Sequence, residues 1–324
     1  MLRLFGPGCP PNPIDVHEAG LRVDSAVWLD LFQPTRDEEM LAERVIGTNV
    51  PTRAEMQEIE PSSRLYERNG AAFMTMAVLY GVNEGSPATD PISFILTGKH
   101  LVTVRYTEPK PFVAFIHHAH ADHELTNDPV TVLIRLLDAI IDRQADELEN
   151  AGRELESISN RIFERRTRRE RDPEDHYQAL MLRIGEVQRL LSRARESSVS
   201  ASRMLGFLGA TDRMRNEEHH SRHLRSLVDD ARALDDHSDF LAENLNFLLD
   251  ASLGMIALEQ NFVMKIFSVV AVVLMPPTLV AGIYGMNFIH MPELSWIGGY
   301  PWALGLMLAS AILPYWFARR RGWL

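Results

Sequence analysis

Ile266-Phe-Ser-Val-Val-Ala-Val-Val-Leu-Met-Pro-Pro-Thr-Leu-Val-Ala-Gly-Ile-Tyr-Gly-Met-Asn-Phe-Ile-His-Met-Pro292 contains no Asp, Glu, Lys or Arg, and Leu294 to Ala318 contains none either. Each run is longer than the roughly 20 residues that cross a hydrocarbon core. Glu293 is the single charge between them. Two spans joined by so short a loop form a hairpin, which leaves both flanks on one side of a bilayer. Lys265 precedes the first span and Arg319, Arg320 and Arg321 follow the second, while the connecting loop has no Lys or Arg. The positive-inside rule puts both flanks, and so both termini, in the cytoplasm.

The rest of the chain reads as soluble protein. Of 324 residues 24% are charged, and the mean hydropathy is −0.12, so the apolar residues are concentrated in the hairpin. Met1 to Pro13 lacks the apolar core of a signal peptide. The single Cys9 excludes an intrachain disulfide and suits a reducing compartment. A net charge of −11 disfavours nucleic acid as a partner; it fits a protein that handles cations and equally fits ordinary solubility.

Residues 14–115 read as mixed α/β. Ser25 to Leu31 has strand composition, and Thr35 with Glu38 makes a capping box for a helix that runs to about Ile46 and stops at Gly47. Ala72–Leu79, Ile92–Leu96, Leu101–Tyr106 and Phe112–Phe115 are further strand candidates, with a hairpin around Gly98-Lys99. Proline-free, Leu/Ala/Glu/Arg-rich stretches then predict long helices over about 130–170 and 174–206, with a break at Gly206 and Gly209. A third helix from near Asn216 meets no breaker before the membrane. The expected organisation is a 1–128 α/β domain, long helices over 129–215, a stalk over 216–263, and a two-span domain over 264–324 with an outer loop at 284–299. A stalk running on into a span needs partners along its length, which favours an oligomer.

Along the membrane-entering helix, Asp250, Gly254, Ala257, Asn261, Met264, Ser268, Ala271, Met275, Thr278 and Gly282 recur at i+3 or i+4 and share one face, whereas Phe262, Val269, Val270, Val273, Leu274 and Leu279 fall elsewhere. Small and polar residues in a span face protein or water. Several copies around an axis would make this stripe a pore lining; a helix-packing seam explains the same pattern. Pro276-Pro277 frees the carbonyls of Val272 and Val273, for a local kink or for ion contact.

Tyr284-Gly-Met-Asn-Phe288 is followed by Met291-Pro-Glu-Leu-Ser-Trp296. Together with Met275 to Asn287 before it and the basic end at Arg319, this resembles the signature of the CorA magnesium-transporter family. Trp28-Leu-Asp-Leu31, Pro34 to Glu39 and Thr97 to Arg105 are similar to the family's first strand, first helix and later hairpin, so the resemblance spans most of the chain. It implies a homopentamer in a bacterial inner membrane, with a funnel-shaped cytoplasmic α/β domain, a long helical stalk and two C-terminal transmembrane helices per subunit. It further implies potential-driven influx of Mg²⁺, also of Co²⁺ and Ni²⁺, closure when cytoplasmic Mg²⁺ binds between subunits, and no organic cofactor. Gly285, Met286 and Asn287 would form the entrance filter. Asn261, Met264, Met275 and Thr278 match pore-facing positions, Asp250 an acidic ring at the cytoplasmic mouth, and Phe267 a bulky constriction, one step off the periodic stripe. Mg²⁺ sheds its waters reluctantly. A collar of Asn287 amide oxygens can hold those waters without stripping them, with Gly285 permitting the turn that aims the amides inward.

Other features carry less. His120/His123 and His219/His223 have spacings that suit a metal or a solvated helix face, in stretches that also hold His117, His118 and His220. Asp229, Asp230, Asp235, Asp236 and Asp239 are candidates for a regulatory cation site by composition alone. Glu293 either draws cations toward the loop or is simply solvated. Tyr300, Trp302, Tyr315, Trp316 and Trp323 sit near the ends of the second span, as interfacial anchors do. No P-loop, nucleophile motif or metalloprotease spacing is present, so an enzyme is not expected. A Zn²⁺-moving relative of the same superfamily is one alternative; Met-Pro-Glu-Leu after the loop favours the Mg²⁺ branch. A non-conducting membrane-anchored sensor or scaffold is the other, separated from a channel by flux.

Overall fold

The computed structural model describes all residues except 7–8, 10–15, 21–22, 59, 122–126, 164–172, 212–213, 215–217, 288–290 and 322–324. It divides into two compact units, Met1–Leu249 and Asp250–Leu324.

In the first unit six strands form a mixed sheet: β1 (Leu2–Phe5), β2 (Trp28–Phe32), β3 (Leu65–Arg68), β4 (Ala71–Tyr80), β5 (Ala88–Leu96) and β6 (Leu101–Arg105), in the order β1-β2-β6-β5-β4-β3. Only β2 and β6 run parallel, with Trp28 opposite Leu101. The strand alternation sorts the core into two layers. Ala72, Met74, Met76 and Val78 of β4 bury with Trp28, Phe94 and Leu101 against long helices, while Phe73, Ile95, Val102, Val104, Leu29 and Leu31 bury against the opposite face.

The first long helix, α1 (Arg36–Ile46), carries the capping box that its sequence announces: Thr35 accepts from the Glu38 amide, Glu38 reaches back to the Thr35 amide, and Gly47 closes the helix in the left-handed region. The hairpin at Gly98-Lys99 is also present, with the Thr97 amide donating to the His100 carbonyl. Phe112–Phe115 is not a strand. It lies in α2 (Lys110–Ala121), where Phe112, Phe115, Ile116 and Ala119 bury one helical face; a short apolar run fits either period until its context is counted.

Two long helices follow, α3 (Pro129–Phe163) and α4 (Pro173–Ala210). Gly206 and Gly209 do not break the chain; α4 runs through both. Gln144 on α3 donates to the Ala194 carbonyl on α4, and Arg183 on α4 bonds Glu154 on α3 at 2.6 Å. The next helix, α5 (Glu218–Tyr284), places Leu224, Leu227 and Ala231 in the helical layer of the first unit and carries the chain into the second. A one-turn 3-10 segment at Pro292–Ser295 leads to α6 (Gly299–Arg320). Both α5 and α6 contain a segment long and apolar enough to span a bilayer.

Candidate functional site

The second unit holds every residue of the expected permeation path. Asp250, Asn261, Met264, Phe267, Met275, Thr278, Gly285, Met286 and Asn287 are all exposed. Met264, Phe267 and Met275 are 65%, 70% and 69% exposed, values that rule out a core role within one chain. Only 6% of the most apolar window of α5 and 11% of that of α6 is buried, so both helices need cover from lipid or from other chains.

An open groove of about 640 Å³ runs along the outer part of α5. It brings together Ala271, Met275, Thr278 and Gly282 of the stripe with Met286 of the loop. It also takes in Leu274, Leu279 and Ile283, which widens the lining beyond the strict stripe; Leu274 and Leu279 had been read as lying elsewhere. Asp250, Asn261, Met264 and Phe267 lie outside this groove, nearer the start of the span.

Polar chemistry along this face is of two kinds. Ser268 and Thr278 donate their hydroxyl hydrogens to the Met264 and Leu274 carbonyls one turn back, each at 2.8 Å. That satisfies the hydrogen and leaves the oxygen lone pairs as acceptors for a hydrated cation's waters. Asn261 and Asn287, by contrast, make no side-chain hydrogen bond among the described residues. Their amides are therefore available to water or to another copy of the chain.

Gly285 works differently from the expected turn glycine. Its φ is not positive, so the backbone alone does not require glycine there. What it lacks is a side chain: a Cβ would sit 3.1 Å from the Ala281 carbonyl oxygen, which accepts the Gly285 amide at 2.9 Å and ends the helix. Gly299, which sequence reasoning passed over, is more constrained. A Cβ at Gly299 would lie 2.1 Å from the Glu293 carbonyl oxygen, so the Pro292–Ser295 turn seats directly on the first residue of α6. Trp296 and Trp302 pack beside it with ring centroids 6.5 Å apart. The Met-Pro-Glu-Leu-Ser-Trp stretch thus acts as a backbone clasp on α6. The Gly298-Gly299 pair was its one legible signal.

The histidines pair differently from their spacing. His220, not His219, meets Asp128 at 3.7 Å and Thr131 at 3.1 Å, and His223 meets Asp138 at 3.6 Å, tying α5 to α3. His118 bonds within its own helix, to the Ala114 carbonyl. The side chains of His120 and His123 fall outside the described residues. Among the described residues no three His, Cys, Asp or Glu side chains converge in metal-binding geometry. Of the acidic candidates, Asp239 is paired with Arg195 at 2.9 Å and Asp229 with Arg232 at 3.8 Å. Asp230 lies close enough to help hold the Asp142 carboxyl above its ordinary range; partial burial is the leading cause, and the charges of Asp138, Asp146 and Asp230 add to it.

Residues 23–320 match the family model of the CorA-like Mg²⁺ transporter protein. The chain is 32% identical over 311 residues to magnesium transport protein CorA of Salmonella typhimurium, covering 96% of each. It is 32% identical over 300 residues to the protein of the same name from Escherichia coli K12, covering 93% of this chain and 92% of that one. Its fold matches the complete structure of the CorA magnesium transporter from Methanocaldococcus jannaschii with a TM-score of 0.74, over 92% of this chain and 91% of that one, at 20% identity. The family is one of membrane ion transporters and not of enzymes, in line with the absence of catalytic motifs. On the extent of the family match and the identity to full-length relatives, the chain belongs to the CorA-like Mg²⁺ transporter family.

Proposed function

We propose that the chain forms a homopentameric channel in a bacterial inner membrane that carries Mg²⁺, and also Co²⁺ and Ni²⁺, into the cytoplasm. The observation that carries this reading is the exposed small-and-polar stripe of α5 leading to Asn287 in the loop, with the Asn261 and Asn287 amides unbonded among the described residues. Small and polar residues in a span face protein or water, and the amides that flank the span, Asn261 before it and Asn287 in the loop after it, continue that face. Five copies of α5 around an axis turn the stripe inward and line a path with Asn261, Met264, Met275 and Thr278.

Gly285, Met286 and Asn287 serve as the outer filter. Neutral amide oxygens bind the hydrated ion weakly enough to release it, where a ring of carboxylates would hold it. Met264 and Phe267 form a dry constriction toward the cytoplasmic end, and Asp250 supplies a ring of charge beyond it. An inside-negative potential drives a dication inward by roughly 4.6 kcal/mol per 100 mV. Cytoplasmic Mg²⁺ closes the channel by binding between subunits, with the raised Asp142 carboxyl, under the charges of Asp138, Asp146 and Asp230, as the supporting sign of crowded carboxylates.

Reconstitution of the full-length protein in liposomes tests the filter. Asn287→Ala is expected to lose most Mg²⁺ uptake while the oligomer persists; full uptake by that variant removes the filter assignment. Raising internal Mg²⁺ is expected to shut uptake in the wild type.

A further inference from the structure

Near the basic end of the second unit, α5 and α6 leave a slot of about 320 Å³ between them, within the roughly 300–1,000 Å³ range of small-ligand sites. Val269 and Val272 on α5 face Pro314, Phe317 and Ala318 on α6, and the walls are almost wholly apolar. Val269 and Ala318 are buried, so the slot is a cleft and not merely surface relief. Pro314 contributes to it by removing a backbone donor, which leaves the Ser310 carbonyl without its helical partner.

One cation lines this apolar slot and a second stacks on one of its lining residues. Lys265 lines it directly. Arg321 lies one turn beyond Phe317 and Ala318, with its guanidinium carbon 5.1 Å from the Phe317 ring centroid. Neither is ion-paired among the described residues, and no Asp or Glu occurs from Ile266 to Pro292 or from Leu294 to Ala318. Arg320 stacks on Trp316 at 5.0 Å and adds to the positive field at the same end.

We propose that this slot binds an anionic phospholipid of the cytoplasmic leaflet, with an acyl chain between Val269 and Phe317 and the phosphate held by Lys265 and Arg321. The chemistry fits an amphiphile and not a soluble anion, because a free phosphate would satisfy the cations but gain nothing from the apolar walls. A zwitterionic lipid would fill the walls but add no net charge at the rim. The slot lies between the Lys265–Val272 stretch of α5 and the C-terminal end of α6, so an occupant there would set how the two helices meet. The inference rests on the proposed insertion in a bilayer but not on ion conduction; lipid retention and flux can therefore fail independently.

Native mass spectrometry of the full-length protein tests this, after delipidation and re-equilibration with equal phosphatidylglycerol and phosphatidylcholine. The wild type is expected to retain phosphatidylglycerol over phosphatidylcholine by about five-fold for each cation, which corresponds to ~1 kcal/mol per basic residue at an anionic headgroup. Lys265→Gln with Arg321→Gln is expected to bring the two lipids to parity. Val269→Phe, which fills the slot and keeps both cations, is expected to lose retention of both; Ala318→Leu serves the same purpose should Val269→Phe fail to fold. Undiminished phosphatidylglycerol preference in the double variant overturns the proposal. So does release of the lipid by millimolar inorganic phosphate, which would mark a plain anion patch. Loss of the oligomer without release of lipid on filling the slot would show a neighbouring subunit there and overturn it as well.

Discussion

Replacing Asp30 by Ala should strongly destabilise the first unit. Asp30 and Arg105 are both fully buried, on the adjacent parallel strands β2 and β6. Arg105 binds Asp30 through two bonds, Nε to Oδ1 at 3.0 Å and Nη2 to Oδ2 at 2.8 Å. Thr103 donates to the same Oδ1 at 2.9 Å and itself accepts from Trp28 Nε1 at 3.0 Å. In Asp30→Ala the guanidinium keeps only the Thr107 carbonyl at 3.0 Å, the faces of Phe32 and Phe112, and a half-exposed Glu108 at 4.0 Å. A partner at that distance and exposure recovers at most about 1 kcal/mol. Stranding one member of a buried pair costs about 3–5 kcal/mol, a large share of a typical total of about 5–15 kcal/mol. For a unit of this size that is a fall in Tm of about 6–20 °C. Thermal unfolding of the full-length protein in detergent, followed by far-UV circular dichroism, reads the shift. Asp30→Ala combined with Arg105→Met should recover most of the loss, because an apolar pair of similar volume replaces the ions without stranding either. A loss below about 1 kcal/mol in the single variant would refute the reasoning, and so would a double variant as unstable as the single.

Gly299→Ala forces a Cβ to within 2.1 Å of the Glu293 carbonyl oxygen, so the turn or the start of α6 must move; a stability loss of about 1–3 kcal/mol is expected, with reduced Mg²⁺ uptake in liposomes. Asp142→Asn tests the carboxylate crowding. With the folded pKa raised above the ordinary 3.8, the native state holds more protons than the unfolded chain between those two values, so stability falls as pH rises through that window and the deficit persists at neutral pH. The variant should therefore be more stable than wild type at pH 7 and equal to it below pH 3.8, and salt should shrink the part of the gap due to the Asp138, Asp146 and Asp230 charges because the carboxyl is only partly buried; equal melting curves at both pH values would count against the crowding. Thr35→Ala removes the acceptor from the α1 capping box and should cost about 1 kcal/mol in the same melting assay, with uptake unchanged.

What could be read in advance follows the range of the interactions. The α1 capping box is local chemistry within four residues, and Thr35, Glu38 and Gly47 behave as their types dictate. Strand β3 was missed although its signal was present: Asn69-Gly70, both at positive φ, forms the tight turn that pairs Arg68 with Ala71. Strand β1 had no such signal; four residues become a strand only because Leu31 and Leu29 lie opposite Leu2 and Leu4. The Phe112–Phe115 error was one of window length. Extending the count to Ile116 and Ala119 restores the helical period. The Asp30–Arg105 pair joins residues 75 apart, and nothing local distinguishes that aspartate from a solvated one.

The small-and-polar stripe of α5 was legible for the opposite reason: it depends on period and chemical type, not on contacts within the chain. A packing seam and a pore lining share the small residues Gly254, Ala257, Ala271 and Gly282. They diverge at the polar positions. A seam that dehydrates its surface would pair Asn261 and Asn287 across the interface, whereas a wet axis lets each remain bonded to water. Among the described residues neither amide has a partner, while the hydroxyls of Ser268 and Thr278, which can turn back on their own helix, have done so. Ser268 and Thr278, which can satisfy themselves, do; Asn261 and Asn287, which cannot, stand before the span and in the loop after it. An amide with no partner is costly away from water, so on the proposed reading both amides meet other copies or water. On the proposed reading, the number of copies and the width of the axis between them belong to the assembly and are not written in any one chain.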